Sequence, residues 1–168
     1  MDSMIVLHTL SLSLHIIALA IWVGGMAFFL IVFGPAVQTL KPSLGVTVLN
    51  QGRMRFETLS WIGIGLLVVT GVLNLVVRGQ TTATHPGQFY MIILSVKLVL
   101  FLAMLAHHGL QVFKYGPKIV ALTNQATDIS EAWPEPLRFY WTKWFLLLKF
   151  NSTLGPIAML FGLALAKS

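Results

Sequence analysis

Four stretches of the chain stay apolar long enough to cross a bilayer, and clusters of polar and helix-breaking residues separate them. A crossing helix needs about 20 predominantly apolar residues. The pattern predicts helices at about 4–37, 55–77, 88–113 and 144–166. Between them stand Gly34-Pro35 and Lys41-Pro42, then Gly79 to Gly87 with His85-Pro86, then Gly116-Pro117 and Trp133-Pro134-Glu135-Pro136. Gly155-Pro156 falls inside the fourth stretch and predicts a kink there. The first stretch does not resemble a cleavable signal peptide, because Asp2 stands where a basic segment belongs and the apolar run is too long. The expected architecture is an all-α integral membrane four-helix bundle, a single transmembrane domain over residues 1–168.

Composition strengthens that expectation. Of the 168 residues, 57% are hydrophobic and 10% charged, against about 25% charged in a soluble domain. So few charges cannot cover a water-facing surface, so the main partner is the lipid bilayer. The net charge of +6 does not point to nucleic acid, since the basic residues cluster at helix ends. Lys41, Arg53, Arg55, Lys114, Lys118, Arg138 and Lys143 flank the first and third connections, whereas the other side has Arg78 and Lys167. Positive charge stays in the cytoplasm, which predicts an N-out, C-out protein of the bacterial inner membrane. Trp133, Phe139, Tyr140, Trp141 and Trp144 read as an inner aromatic belt. Residues 118–125 read as a short helix on the membrane surface. With no cysteine, disulfides, thiolate metal sites and covalent haem attachment are excluded.

Ionisable groups inside a membrane span mark function. Counting about 1.5 Å per residue from the inner ends places His15 roughly 30 Å up, near the outer surface, with His8 two turns further on the same face. His85, Met91 and Asn74 fall in the same outer zone, and Lys97 lies somewhat deeper. A second group, His107, His108, Lys149 and Glu57, falls near the inner side. Adjacent His107 and His108 point about 100° apart. His15 and His108 differ in height by roughly 20 Å on this count, which separates them as a haem ligand pair. Imidazole and thioether suit copper, and imidazole also suits haem iron. The residues alone thus leave two candidate cofactors: copper held by His8, His15, His85 and Met91, or an outer haem b on His15 with His85 or Met91. His108 is a candidate inner haem ligand. No paired carboxylates, phosphate loop or H-E-x-x-H motif argues for hydrolysis.

Leu14-His15 followed by Trp22-Val23-Gly24-Gly25, then Arg55 with Thr70-Gly71-Val72-Leu73-Asn74, then Lys97-Leu98, resembles the CopD copper-resistance membrane domain. The resemblance implies a multi-pass inner-membrane protein that handles copper. It makes His15 the family's first-helix histidine and Lys97 its third-helix lysine. The chain is more distantly similar to the HemJ-type four-helix protoporphyrinogen oxidases, which share a Leu-His in helix 1 and a lysine and histidine spaced as Lys97 and His108 are. It departs from them at Leu30-Ile31 and Pro35-Ala36, where they carry Pro-Arg and Tyr-His. The first expectation is therefore copper handling in the outer half of the bundle. The alternatives are a haem-b electron-transfer subunit, an oxidase-like protein and a purely structural subunit. A periplasmic copper protein, a redox partner or further copies of the chain are the partners these readings imply.

Overall fold

The computed structural model describes residues 2–81, 87–125 and 132–167. Among the described residues, four long helices make up the fold. The first, α1, runs through Asp2–Phe28, a π-helical turn at Phe29–Phe33 and Gly34–Val37. The second, α2, is Pro42–Thr81. The third, α3, joins Gln88–Gly109, a π-helical turn at Leu110–Tyr115 and Gly116–Gln125. The fourth, α4, is Glu135–Lys167. Each is long and apolar enough to cross a membrane.

Both Gly-Pro pairs taken from the sequence as breaks lie within helices. A proline inside an α-helix clashes with the carbonyl four residues back. Here the turn before each pair is widened by one residue, so that Gly34 N–H reaches Phe29 O and Gly116 N–H reaches Gln111 O. The helix absorbs the proline by widening rather than ending. Residues 118–125 therefore continue α3 instead of forming a separate surface helix, and Ile119 is fully buried. Two other boundaries move outward as well. Pro42 and Pro136 sit in the first turns of α2 and α4, where a missing N–H is harmless. Arg53 and Arg55 are thus helical residues of α2, not loop cations.

The helices alternate in direction. Two hairpins, α1–α2 and α3–α4, make the closest pairings, and α1 also meets α4 while α2 meets α3. The start of α1, the end of α2, the start of α3 and the end of α4 share one end, called here the termini end. The α1–α2 and α3–α4 connections share the other, the basic end, near Lys41, Lys118 and Arg138. Trp133 Nε1 donates to Pro42 O at 3.2 Å and ties these two connections together.

The interior is aromatic and polar, and the periphery is aliphatic. Trp22, Phe29, Phe56, Trp141 and Trp144 are buried together with Met26, Met104 and Leu148. Ile31, Val99, Phe113 and Leu160 are exposed, as lipid-facing positions of a bundle should be. Trp141 and Trp144 belong to this core rather than to an interfacial belt. Met159 is exposed as well.

Candidate metal site at the termini end

His15 faces α2. Its Nδ1 lies 2.8 Å from Thr70 Oγ1, and the same hydroxyl donates to Leu66 O at 2.5 Å. Because that proton goes to the carbonyl, the hydroxyl accepts from Nδ1–H, which leaves Nε2 with a lone pair. Ser11 Oγ donates to Thr70 O at 3.2 Å one turn nearer the end. Another turn along, two buried atoms have no hydrogen-bond partner: His8 Nδ1 on α1 and Asn74 Oδ1 on α2. Buried polar atoms are nearly always satisfied by protein or by water; these two share that unpaired state with six other buried side-chain atoms spread through the bundle, Trp22 Nε1 and Ser60 Oγ among them. The sequence favours this close approach, because Gly71 presents no side chain to the ring. A Cβ there would sit 3.6 Å from His15 Cε1.

Lys97 of α3 enters the same half of the bundle. It is half-buried, lies within electrostatic range of His15, and its Nζ is 3.4 Å from the place a Cβ on Gly162 would occupy. Arg78 closes the rim by lying over the Tyr90 ring at 4.4 Å and donating to Leu165 O at 3.2 Å. Trp22 forms the floor, fully buried and edge-on to Phe101. Met91 does not join the group: it is 48% exposed on α3. His85 lies outside the described residues. Among the described residues, no three His, Cys, Asp or Glu side chains come together as a ready-made metal cage.

The basic half holds a different polar layer, which the sequence pattern missed. Arg53 is 2% exposed. It grips Glu57 through NH1 at 2.6 and 2.7 Å and reaches Asn50 Oδ1 at 2.9 Å. Trp144 Nε1 donates to Glu57 Oε1 at 3.1 Å, and Gln111 Nε2 donates to Trp144 O at 3.0 Å. A Cβ on Gly116 would come within 2.8 Å of Arg53 NH1, so that glycine makes room for the guanidinium. The spacing of Asn50, Arg53 and Glu57 on one helix face was a usable signal. It was overlooked because these polar residues seemed to end the span.

The expected inner cluster of His107, His108, Glu57 and Lys149 does not form. Lys149 is exposed. His107 Nδ1 pairs with Asn151 Oδ1 at 3.0 Å. His108 turns the other way, edge-on to Trp22 and Trp61 at centroid distances of 6.3 and 5.2 Å. Since His108 is level with Trp22, it lies about two turns, roughly 10 Å, below His15. The loop-based count gave twice that height because it took Lys114 as the inner end of α3, which continues to Gln125. His15 and His108 nevertheless occupy separate layers.

Fold and site together define a polytopic membrane four-helix bundle with an imidazole site in one half and a buried ion pair in the other. Residues 51–148, more than half of the chain, match the family described as copper resistance protein D, CopD. The chain belongs to that family. No curated protein and no solved structure matches it.

Proposed function

We propose that this CopD protein handles copper in the termini-end half of its bundle, with His15 as the principal ligand. The observation that carries the reading is the Nδ1 contact of His15 with Thr70 Oγ1. A metal-binding imidazole is normally held by a partner on its other ring nitrogen, which fixes the ring and sets the lone pair on the free one. His8, two turns nearer the rim on the same face, supplies a second imidazole on the way in. The termini end faces the periplasm of a bacterial inner membrane in this reading, because the basic connections lie at the opposite end. Copper reaches the site from that side, from solution or from a periplasmic copper protein.

The test uses detergent-purified full chain, loaded with copper(I) under reducing conditions, desalted and analysed for metal. Wild type retains copper, and His15→Ala retains at least tenfold less at the same loading. Full retention by the variant removes the assignment. A Soret band in the purified protein that vanishes in His15→Ala would assign the site to haem instead. Labelling of Ser3→Cys by an impermeant thiol reagent from the periplasmic side checks the orientation, and labelling only after lysis reverses it.

A further inference from the structure

The two hairpins repeat one design. Each begins with a helix that widens into a π-helical turn and then carries Gly-Pro, at Gly34-Pro35 in α1 and Gly116-Pro117 in α3. Superposing the two glycines places Lys97 on His15, each nineteen residues upstream of its own glycine. The packing reproduces this register. A Cβ on Gly71 of α2 would touch the His15 ring at 3.6 Å, and a Cβ on Gly162 of α4 would touch Lys97 Nζ at 3.4 Å. Eleven residues before each of these glycines stands a buried polar residue, Ser60 in α2 and Asn151 in α4. The paired helices run in the same direction, so the repeat corresponds to a two-fold axis along the membrane normal.

The equivalence exposes one difference. His15 has a hydroxyl partner because Thr70 precedes Gly71. Phe161 precedes Gly162, and Lys97 Nζ has no hydrogen-bond partner among the described residues. No carboxylate among the described side chains lies in this half: Glu57 is committed to Arg53 in the other layer, and Glu135 sits at the basic end. A bare copper ion at His15 would therefore meet an ammonium with no compensating carboxylate among the described side chains, in a medium that screens poorly.

We infer that His15 and Lys97 are the two halves of one site on the pseudo-two-fold axis, and that the copper it takes carries a small anionic ligand which Lys97 binds. This rests on the copper reading above and names the cargo class: a neutral or anionic copper complex rather than the naked cation. Gly162 leaves the space that the anion fills where the first hairpin has its hydroxyl.

Copper(I) retention by the full chain is compared in chloride, where copper(I) forms anionic chloro complexes, and in perchlorate with acetonitrile, where it is a cationic nitrile complex. Wild type is expected to bind at least tenfold more tightly in chloride. Lys97→Met abolishes that difference and Lys97→Arg preserves it, because arginine keeps the charge. Gly162→Ser, which offers Lys97 a hydroxyl of its own, reduces the chloride preference. Thermal unfolding followed by circular dichroism identifies folded variants, and Lys97→Arg and Gly162→Ser keep the comparison decisive if Lys97→Met does not fold. Equal binding of wild type in both salts overturns the inference. So does an equal loss in both salts on Lys97→Met, which would make the amine itself a copper ligand. Loss of copper in His15→Ala with unchanged chloride preference in Lys97→Met leaves the copper reading standing and sinks only this one. Unchanged copper in His15→Ala sinks the copper reading and this inference together.

Discussion

The two polar layers of this bundle are built on opposite principles. In the basic half the buried charges answer each other: Arg53 holds Glu57 and Asn50, and Trp144 holds Glu57 in turn, although Gln111 Oε1 and Trp141 Nε1 nearby are unpaired. In the termini half the polar groups are left partly open. His15 has one nitrogen engaged, Lys97 Nζ has no hydrogen-bond partner among the described residues, and His8 Nδ1 and Asn74 Oδ1 are buried and unpaired. A closed network inside low-dielectric surroundings rigidifies and specifies packing. The contrast can be tested by measuring stability in one half and binding in the other.

The sharpest way to break the contrast is to remove one member of the closed network. Glu57→Ala strands a buried guanidinium and should destabilise the protein by about 3–5 kcal/mol, measured by thermal or denaturant unfolding in detergent. The paired replacement Arg53→Met with Glu57→Leu should recover most of that loss, since no uncompensated charge remains. Failure of the pair to recover would mean that the layer does more than hold the fold. Gly116→Ala presses a methyl group onto Arg53 and should cost about 1–3 kcal/mol by overpacking. An unchanged melting temperature there would show that the guanidinium has room to move.

Changes in the open half should act the other way, on ligand rather than on fold. Thr70→Val removes the hydroxyl that orients His15, and loss of such an orienting partner typically weakens metal binding about tenfold or more. Its stability should fall by only about 1 kcal/mol, the value of one hydrogen bond. Copper retention and unfolding measured on the same preparation separate the two effects, and a large stability loss with intact copper binding would erase the division of labour. The smallest effect is expected from Met91→Ala. This exposed side chain should change both readouts by no more than about 0.5 kcal/mol, or roughly twofold. A tenfold copper loss would place the thioether in the site.

Much of the architecture was legible along the chain. Apolar run length located four spans, because a bilayer demands a minimum stretch whatever the packing. Its boundaries failed at Pro42, Gly116-Pro117 and Pro136, each for one reason: proline was read as punctuation. Proline ends a helix only where the backbone cannot rearrange, and first-turn positions and π-helical turns both accommodate it. At Gly116-Pro117 that error turned residues 118–125 into a surface helix and doubled the height between His15 and His108, whereas the polar run at 50–53 moved Arg53 into a loop.

The candidate site was legible in part. His15 and Lys97 stand out in sequence because an ionisable residue inside an apolar run is expensive. Thr70 and Gly162 do not stand out, since a threonine or glycine in a membrane helix is ordinary and gains meaning only from the group opposite. Periodicity placed His107 and His108 on different faces, and the structure gives each its own surroundings, Asn151 for one and Trp22 with Trp61 for the other.

Sequence by itself determined that this chain is helical, that it lives in lipid, and which few ionisable groups it carries into the membrane. Those are properties of composition and run length, which each segment holds independently of its neighbours. Only the tertiary structure decided which groups share a layer and which charge is answered. Such relations depend on the register between helices. Register is set by side-chain interdigitation across interfaces that lie far apart in the chain, and no local pattern records it.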